Sequence, residues 1–480
     1  MTGTPPVADG EAFPARARNA LNDANLQSAL RNLRAGFIGK RAAAVAALPE
    51  FEALREAAKE AKTHALDHLD HYLERFEHKV IENGGQVHWA RDASEAVAIV
   101  TQLCRSAGAG RVLKGKSMLT EEIGLNARLL SEGFEVIETD LGEYIIQLRD
   151  ETPSHIIAPA SHLTRQDVAA TFAARHQRAE SCLPPESPED LLAEARRVLR
   201  EKFLAADVGI TGANLLVAET GQIVLVTNEG NGDLSRLMTG THIVLAGLEK
   251  VVATLEDAST ILRLLARSAT GQEFAAYTTF AAGPKRADDP SGPAAFHVVL
   301  VDNGRTRILG SRFRDILRCI RCGACLNHCP VYGAIGGHAY GSVYSGPMGA
   351  VMTPAIFGLH RARHLPNASS FCGRCAEVCP VKIPLPDLMR AWRAEENAER
   401  LNPPIGRLAI RLWAFCAQRP RLYAGLVAVV TRLLRAFGGR RGRFAKLPLA
   451  SGWTVARDFP VPERAETFRA AFAKRQGGRS

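Results

Sequence analysis

Residues 319–330 read CIRCGACLNHCP, a C-x2-C-x2-C-x3-C-P run that sets Cys319, Cys322, Cys325 and Cys329 at fixed intervals. Two-residue spacers wrap a tight loop around three corners of a cubane. The run therefore predicts 4Fe-4S ligation in which the fourth cysteine serves a second cluster. Gly323 lets the backbone approach closely, and Pro330 turns Cys329 away from the loop. A second motif, CGRCAEVCP, supplies Cys372, Cys375 and Cys379 and again ends in proline. C-x2-C pairs also build zinc ribbons, but a four-cysteine run followed by another C-x3-C-P favours iron–sulfur chemistry.

Crossed ligation assigns Cys319, Cys322, Cys325 and Cys379 to one cluster, and Cys329, Cys372 and Cys375 to the other. The second set is one thiolate short, because Ser369 stands where a complete motif has cysteine. Three completions are open: a serine or non-protein oxygen, a cysteine such as Cys416 recruited from elsewhere, or a three-iron cluster. Cys104 and Cys182 read as ordinary buried thiols. Between the motifs, a Gly-rich stretch carries His338, Tyr340 and Tyr344, which can shield a cluster or face a partner.

The 480 residues are 46% hydrophobic and 23% charged, which excludes a disordered, collagenous or disulfide-stapled chain and predicts several domains. MTGTPPVADGEAF lacks the basic and apolar regions of a signal peptide, and the best apolar run, Leu422 to Val430, is too short to span a bilayer. The expectation is a soluble cytoplasmic protein with reduced cysteines.

The net charge of +10 is concentrated: residues 401–450 hold Arg407, Arg411, Arg419, Arg421, Arg432, Arg435, Arg440, Arg441, Arg443 and Lys446, and no acid. Their interleaving with apolar residues predicts a docking surface for a partner or for anionic lipid, with an ordinary solvated helix face as the alternative. No nucleic-acid module accompanies them.

Four segments follow. Residues 1–80 read as helical, with Leu66, Leu69, Leu73, Phe76 and Val80 forming an apolar stripe. His64, His68, His71 and His78 share a face there and read as polar surface, not as a metal site. Residues 81–308 alternate strands with helices, which predicts an α/β domain with a parallel or mixed sheet covered on both sides. The strands expected are 86–89, 111–113, 134–138, 154–158, 209–219, 222–227, 241–246 and 297–302. A linker at 181–192 ends in a helix start at Ser187-Pro188-Glu189-Asp190. Residues 309–396 form the mainly helical metal segment and 397–480 a basic helical extension.

The cysteine segment, with GITGANLLVAETGQIVLVTNEGN at 209–231 and GPKRADDPSGPAAFHVVLVDNGR at 283–305, resembles the lactate utilisation protein B family. The resemblance covers nearly the whole chain. It implies a lactate-utilisation (LUD) domain of the sugar-phosphate isomerase and CoA-transferase type, followed by a ferredoxin-type domain with two 4Fe-4S clusters. It also implies a three-protein system oxidising L-lactate to pyruvate, with a cysteine-rich iron–sulfur protein and a second LUD protein as partners. The three-cysteine second set matches the family pattern.

The sequence carries no flavin or nicotinamide fingerprint, so an electron-transfer subunit is expected. The rivals are a LUD cleft that itself binds and oxidises lactate, and a cluster-based redox sensor. Within the α/β region, Lys114, Lys116, Thr211-Gly212 and Glu219-Thr220-Gly221 are candidates for lining a small-molecule cleft.

Overall fold

The computed structural model describes residues 10–176, 187–438, 442–447, 450–454, 457–462 and 465–477, and the chain divides into two compact units, 1–395 and 396–480. In the first unit, β-branched runs build ten strands: β1 (Gln86–Ala90), β2 (Arg111–Lys114), β3 (Glu135–Glu138), β4 (Val208–Gly212), β5 (Leu215–Val217), β6 (Gln222–Thr227), β7 (Thr241–Gly247), β8 (Val251–Val252), β9 (Tyr277–Ala281) and β10 (Ala295–Val301). Six of them form an all-parallel sheet in the order β1-β10-β7-β4-β2-β3.

Both faces of this sheet are buried, which is why its strands read as continuous apolar runs. In β10, Val299 and Val301 pack with Val100 and Ile210 on one face. Val298 and Leu300 pack with Leu73, Phe76 and Val80 on the other. The predicted apolar stripe is thus a sheet-covering face, although its helix breaks at His68 into Phe51–Asp67 and Leu69–Glu82.

A second sheet, β8-β5-β6-β9, lies beyond the first. The run expected as one strand over 209–219 divides between the two sheets at Asn214, whose Oδ1 accepts from Val226 N at 3.0 Å. Residues 154–158 are not a strand. His155 Nδ1 accepts from the backbone N–H of Ile157 at 3.1 Å and Ala158 at 3.2 Å, which takes the donors a ladder would use. The helix start at Ser187 is a capping box with Asp190, with proline inside the first turn. Cys182 lies outside the described residues.

Residues 10–80 do not stand apart from the metal segment. Arg41 donates to the Val378 carbonyl at 3.0 Å, Arg55 to the Cys379 carbonyl at 2.7 Å, and Gln27 to the Ala334 carbonyl at 2.8 Å.

In the second unit, the helices Pro404–Ala417 and Pro420–Phe437 bury no side chain. Ile405 is 83% exposed, Trp413 64% and Phe437 76%. Arg440 and Arg441 lie outside the described residues. No helix among the described residues is long and apolar enough to cross a membrane.

Candidate metal centre

The two cysteine motifs repeat in backbone as well as in sequence. Arg321 and Gly323 flank Cys322 at φ 60° and 71°, and Phe371 and Gly373 flank Cys372 at φ 53° and 83°. Left-handed residues on both sides of a cysteine curl the chain around its sulfur. Glycine does this without strain, whereas Arg321 and Phe371 adopt it at a cost of about 1–3 kcal/mol each. The same alignment sets Ser369 opposite Cys319.

Cys319, Cys322, Cys325 and Cys379 line one small cavity with Ile156, Met348, Ile383 and Leu385. Cys329, Cys372 and Cys375 are charge neighbours of one another, and Cys325 and Cys375 connect the two groups. Cys372 is exposed, whereas Cys329 and Cys375 are buried. Ser369 is half-buried, and its Oγ accepts from Phe371 N at 3.1 Å. Cys416 belongs to the second unit, in the helix Pro404–Ala417.

These donors suit an iron–sulfur cluster. Burial, reinforced by the neighbouring sulfurs, pushes the thiols of Cys322 and Cys325 well up and that of Cys375 to about 12. Four thiolates around an apolar cavity are therefore stable only with a cationic centre among them. Peptide N–H groups already point at the sulfurs: Ile383 N is 3.4 Å from Cys379 Sγ, and Tyr332 N is 3.5 Å from Cys329 Sγ. The Tyr340 hydroxyl is buried without a hydrogen-bond partner among the described residues, and Cys329 and Tyr332 are its electrostatic neighbours. His338 takes another role, with Nε2 2.7 Å from the Thr152 carbonyl.

A buried ionic network ties the cysteine loop to the α/β body. Arg305 grips Glu122 with Nη1 and Nη2 at 2.9 and 3.0 Å, and its Nε reaches Glu249 at 2.6 Å. Tyr344 donates to Glu122 at 2.6 Å, and Arg321 approaches Glu249 at 3.3 Å while covering the Tyr344 ring. Burial disfavours the Glu249 carboxylate, but Arg305 and Arg321 outweigh it and hold its pKa at about 2. Sequence reasoning missed this network, for which no local motif exists.

Beside the metal segment lies a cavity of about 600 Å3, lined by Gly115, Lys116, Asp140, Thr211, Gly212 and Gly247. These residues mark the carboxyl ends of β2, β3, β4 and β7, where open parallel sheets take ligands. Lys116 and Thr211-Gly212 are therefore on its wall, as expected.

Lys114 is not. It is fully buried, and its ammonium lies 2.9 Å from both Glu121 and Glu138 and 3.9 Å from Glu143, so it neutralises carboxylates and holds no ligand. Glu219-Thr220-Gly221 forms the β5–β6 turn, away from the cavity. Among the described histidines, His64 bonds Tyr72 at 2.8 Å and meets the His68 ring edge-on, with no metal-binding cluster.

Residues 73–301 match the LUD domain family, and residues 315–383 match the 4Fe-4S dicluster domain family. The chain is 42% identical over 466 residues to "Lactate utilization protein B" of Shouchella clausii, covering 97% of each chain. It is 40% identical over 465 residues to "Uncharacterized electron transport protein YkgF" of Escherichia coli, again covering 97% of each. Among solved structures, a DUF162 family protein from Deinococcus radiodurans aligns with 48% of this chain and 98% of its own, at 16% identity and a TM-score of 0.27.

Proposed function

The chain belongs to the lactate utilization protein B family, and on that premise we propose that it is an iron–sulfur electron-transfer protein of a multi-subunit system oxidising L-lactate to pyruvate. The observation that carries this reading is the pair of adjoining cysteine sets, one beside the α/β cavity and the other reaching solvent at Cys372. Cys319, Cys322, Cys325 and Cys379 hold one 4Fe-4S cluster. Cys329, Cys372 and Cys375 hold the other, completed by an oxygen ligand for which Ser369 is the nearest candidate in the motif. Such clusters, when bound, take up and release one electron at a time.

The chain's own residues position and protect these sites. Peptide N–H groups of Ile383 and Tyr332 offset negative charge on Cys379 and Cys329. Ile156, Met348 and Leu385 keep water from the first set. Arg41 and Arg55 clamp the second motif through its carbonyls.

In this reading the α/β domain spans 81–308, the ferredoxin-type domain 309–396 and the basic extension 397–480. A cysteine-rich iron–sulfur protein and a second LUD protein are the partners. The exposed apolar and cationic helices of the extension offer a peripheral contact for an anionic membrane surface on the cytoplasmic side.

Anaerobic EPR after addition of L-lactate, with and without the two partner proteins, tests the assignment. Cluster reduction that needs the partners is expected. Reduction by the isolated chain would move substrate oxidation into its own cavity, and no reduction in the complete mixture would overturn the reading.

A further inference from the structure

The 600 Å3 cavity and the cysteine cavity share a wall, because Ile156 and Cys322 line both. Most of the charge on the cavity side of that wall is paired within the protein. Glu122 and Glu249 are taken up by Arg305 and Arg321, through contacts of 2.9, 2.6 and 3.3 Å. Two carboxylates therefore neutralise two guanidiniums. Lys250, which lines the same cavity, makes no hydrogen bond or ion pair among the described residues, and its opposite-charge neighbours are Glu249 and Cys319. The other charged groups on the wall, Lys116, Asp140 and Glu229, are neighbours of one another.

An ammonium on a cavity wall that bonds no carboxylate of its own chain can take a ligand's carboxylate as a charge-assisted partner. Phe37, Ile145, Ile156, Leu245 and Leu265 supply apolar wall. The space is several times what a three-carbon acid fills.

The geometry points to a binding site for a small organic carboxylate with an apolar body, its carboxylate paired with Lys250 beside Arg321, and the cysteine set of Cys322 directly behind the wall. This deepens the electron-transfer reading, on which the ligand's 2-hydroxycarboxylate class rests. The cavity's size further assigns a preference for bodies longer than that of lactate.

The test is calorimetric binding to the full chain, purified anaerobically with its clusters. The probes are L-lactate, oxamate as a non-oxidisable analogue, and L-2-hydroxy-4-methylpentanoate. All three should compete, with the longest acid binding tightest. Lys250→Met should weaken binding about tenfold or more, the loss of one charge-assisted contact. Lys250→Arg should retain it, and Lys79→Met, on an exposed helix face, should leave it unchanged. Bound oxamate should also perturb the EPR signal that disappears in Cys322→Ala and leave the other signal unchanged.

Absence of binding, or binding indifferent to Lys250, would overturn the inference. So would a Lys250→Met variant with altered cluster signals but unaltered ligand affinity, since Lys250 would then serve the cluster alone. Clusters present without ligand binding would refute this site and leave the electron-transfer reading standing. Binding by a chain that holds no iron would do the reverse.

Discussion

Arg321 Nη2 lies 3.3 Å from Glu249 Oε1, so a residue between two cysteines of the first set is fastened to the 3-10 turn Leu248–Lys250 that follows β7 in the α/β body. Glu249 also bonds Arg305 at 2.6 Å and is almost wholly buried. Glu249→Gln would leave Arg321 without its carboxylate at a largely buried site. The expected loss is about 3 kcal/mol of stability, read by denaturant unfolding under anaerobic conditions. A loss under about 1 kcal/mol would mean that solvent reaches the network.

Ser369 occupies the position that Cys319 holds in the first motif. Ser369→Cys would complete the second set, and the cluster it holds should then survive exposure to air longer, followed by the appearance of the three-iron EPR signal. Cys416→Ala should leave that signal unchanged. If Cys416→Ala strips the cluster and Ser369→Cys does nothing, the fourth ligand is Cys416.

His242 is fully buried on β7, its Nε2 2.8 Å from Thr211 Oγ1, and burial with the nearby Arg236 lowers its pKa to about 3. Its unfolded value is about 6.5. Below that pH the unfolded chain binds a proton that the folded chain refuses, so stability falls as pH drops from about 6.5 toward 3. His242→Gln keeps a polar partner for Thr211 and should make Tm less steeply dependent on pH between 6.5 and 4. An unchanged slope would show that other groups set the acid limit.

The helices Pro404–Ala417 and Pro420–Phe437 expose both arginines and large apolar side chains. Reversing Arg411, Arg421, Arg432 and Arg435 to Glu should cut binding to anionic vesicles at low salt by about a hundredfold or more, at about 1 kcal/mol per cation. Iron content should not change. Wild-type binding should itself weaken as salt rises. If the variant sediments with vesicles like the parent, the surface is a solvated helix face. If only capture of the partner proteins suffers, the surface serves them.

The gathering of Cys319, Cys322 and Cys325 around one cavity was legible in the sequence because these residues are local. The 319–329 run fixes a loop by spacing alone, and its repeat at 372–379 exposes the vacancy at Ser369. Strands with both faces buried, such as β10, announced themselves as β-branched runs. The segment 154–158 misled because His155 uses its ring, not a neighbouring strand, to satisfy two backbone donors. The ionic network was invisible for a different reason. Arg305 meets Glu249 across 56 residues and Glu122 across 183, and no periodicity encodes such a meeting. Lys114 looked like an anion-binding lysine, since a sequence does not show three glutamates converging on it.

Iron and acid-labile sulfide analysis of the anaerobically purified full chain, with EPR spin counting after reduction, reads the cluster content of the two cysteine sets. About eight iron atoms in two 4Fe-4S clusters are expected, with Cys322→Ala abolishing one reduced signal and sparing the other. Stoichiometric zinc with no visible absorbance, or a single cluster lost entirely in Cys322→Ala, would contradict that expectation.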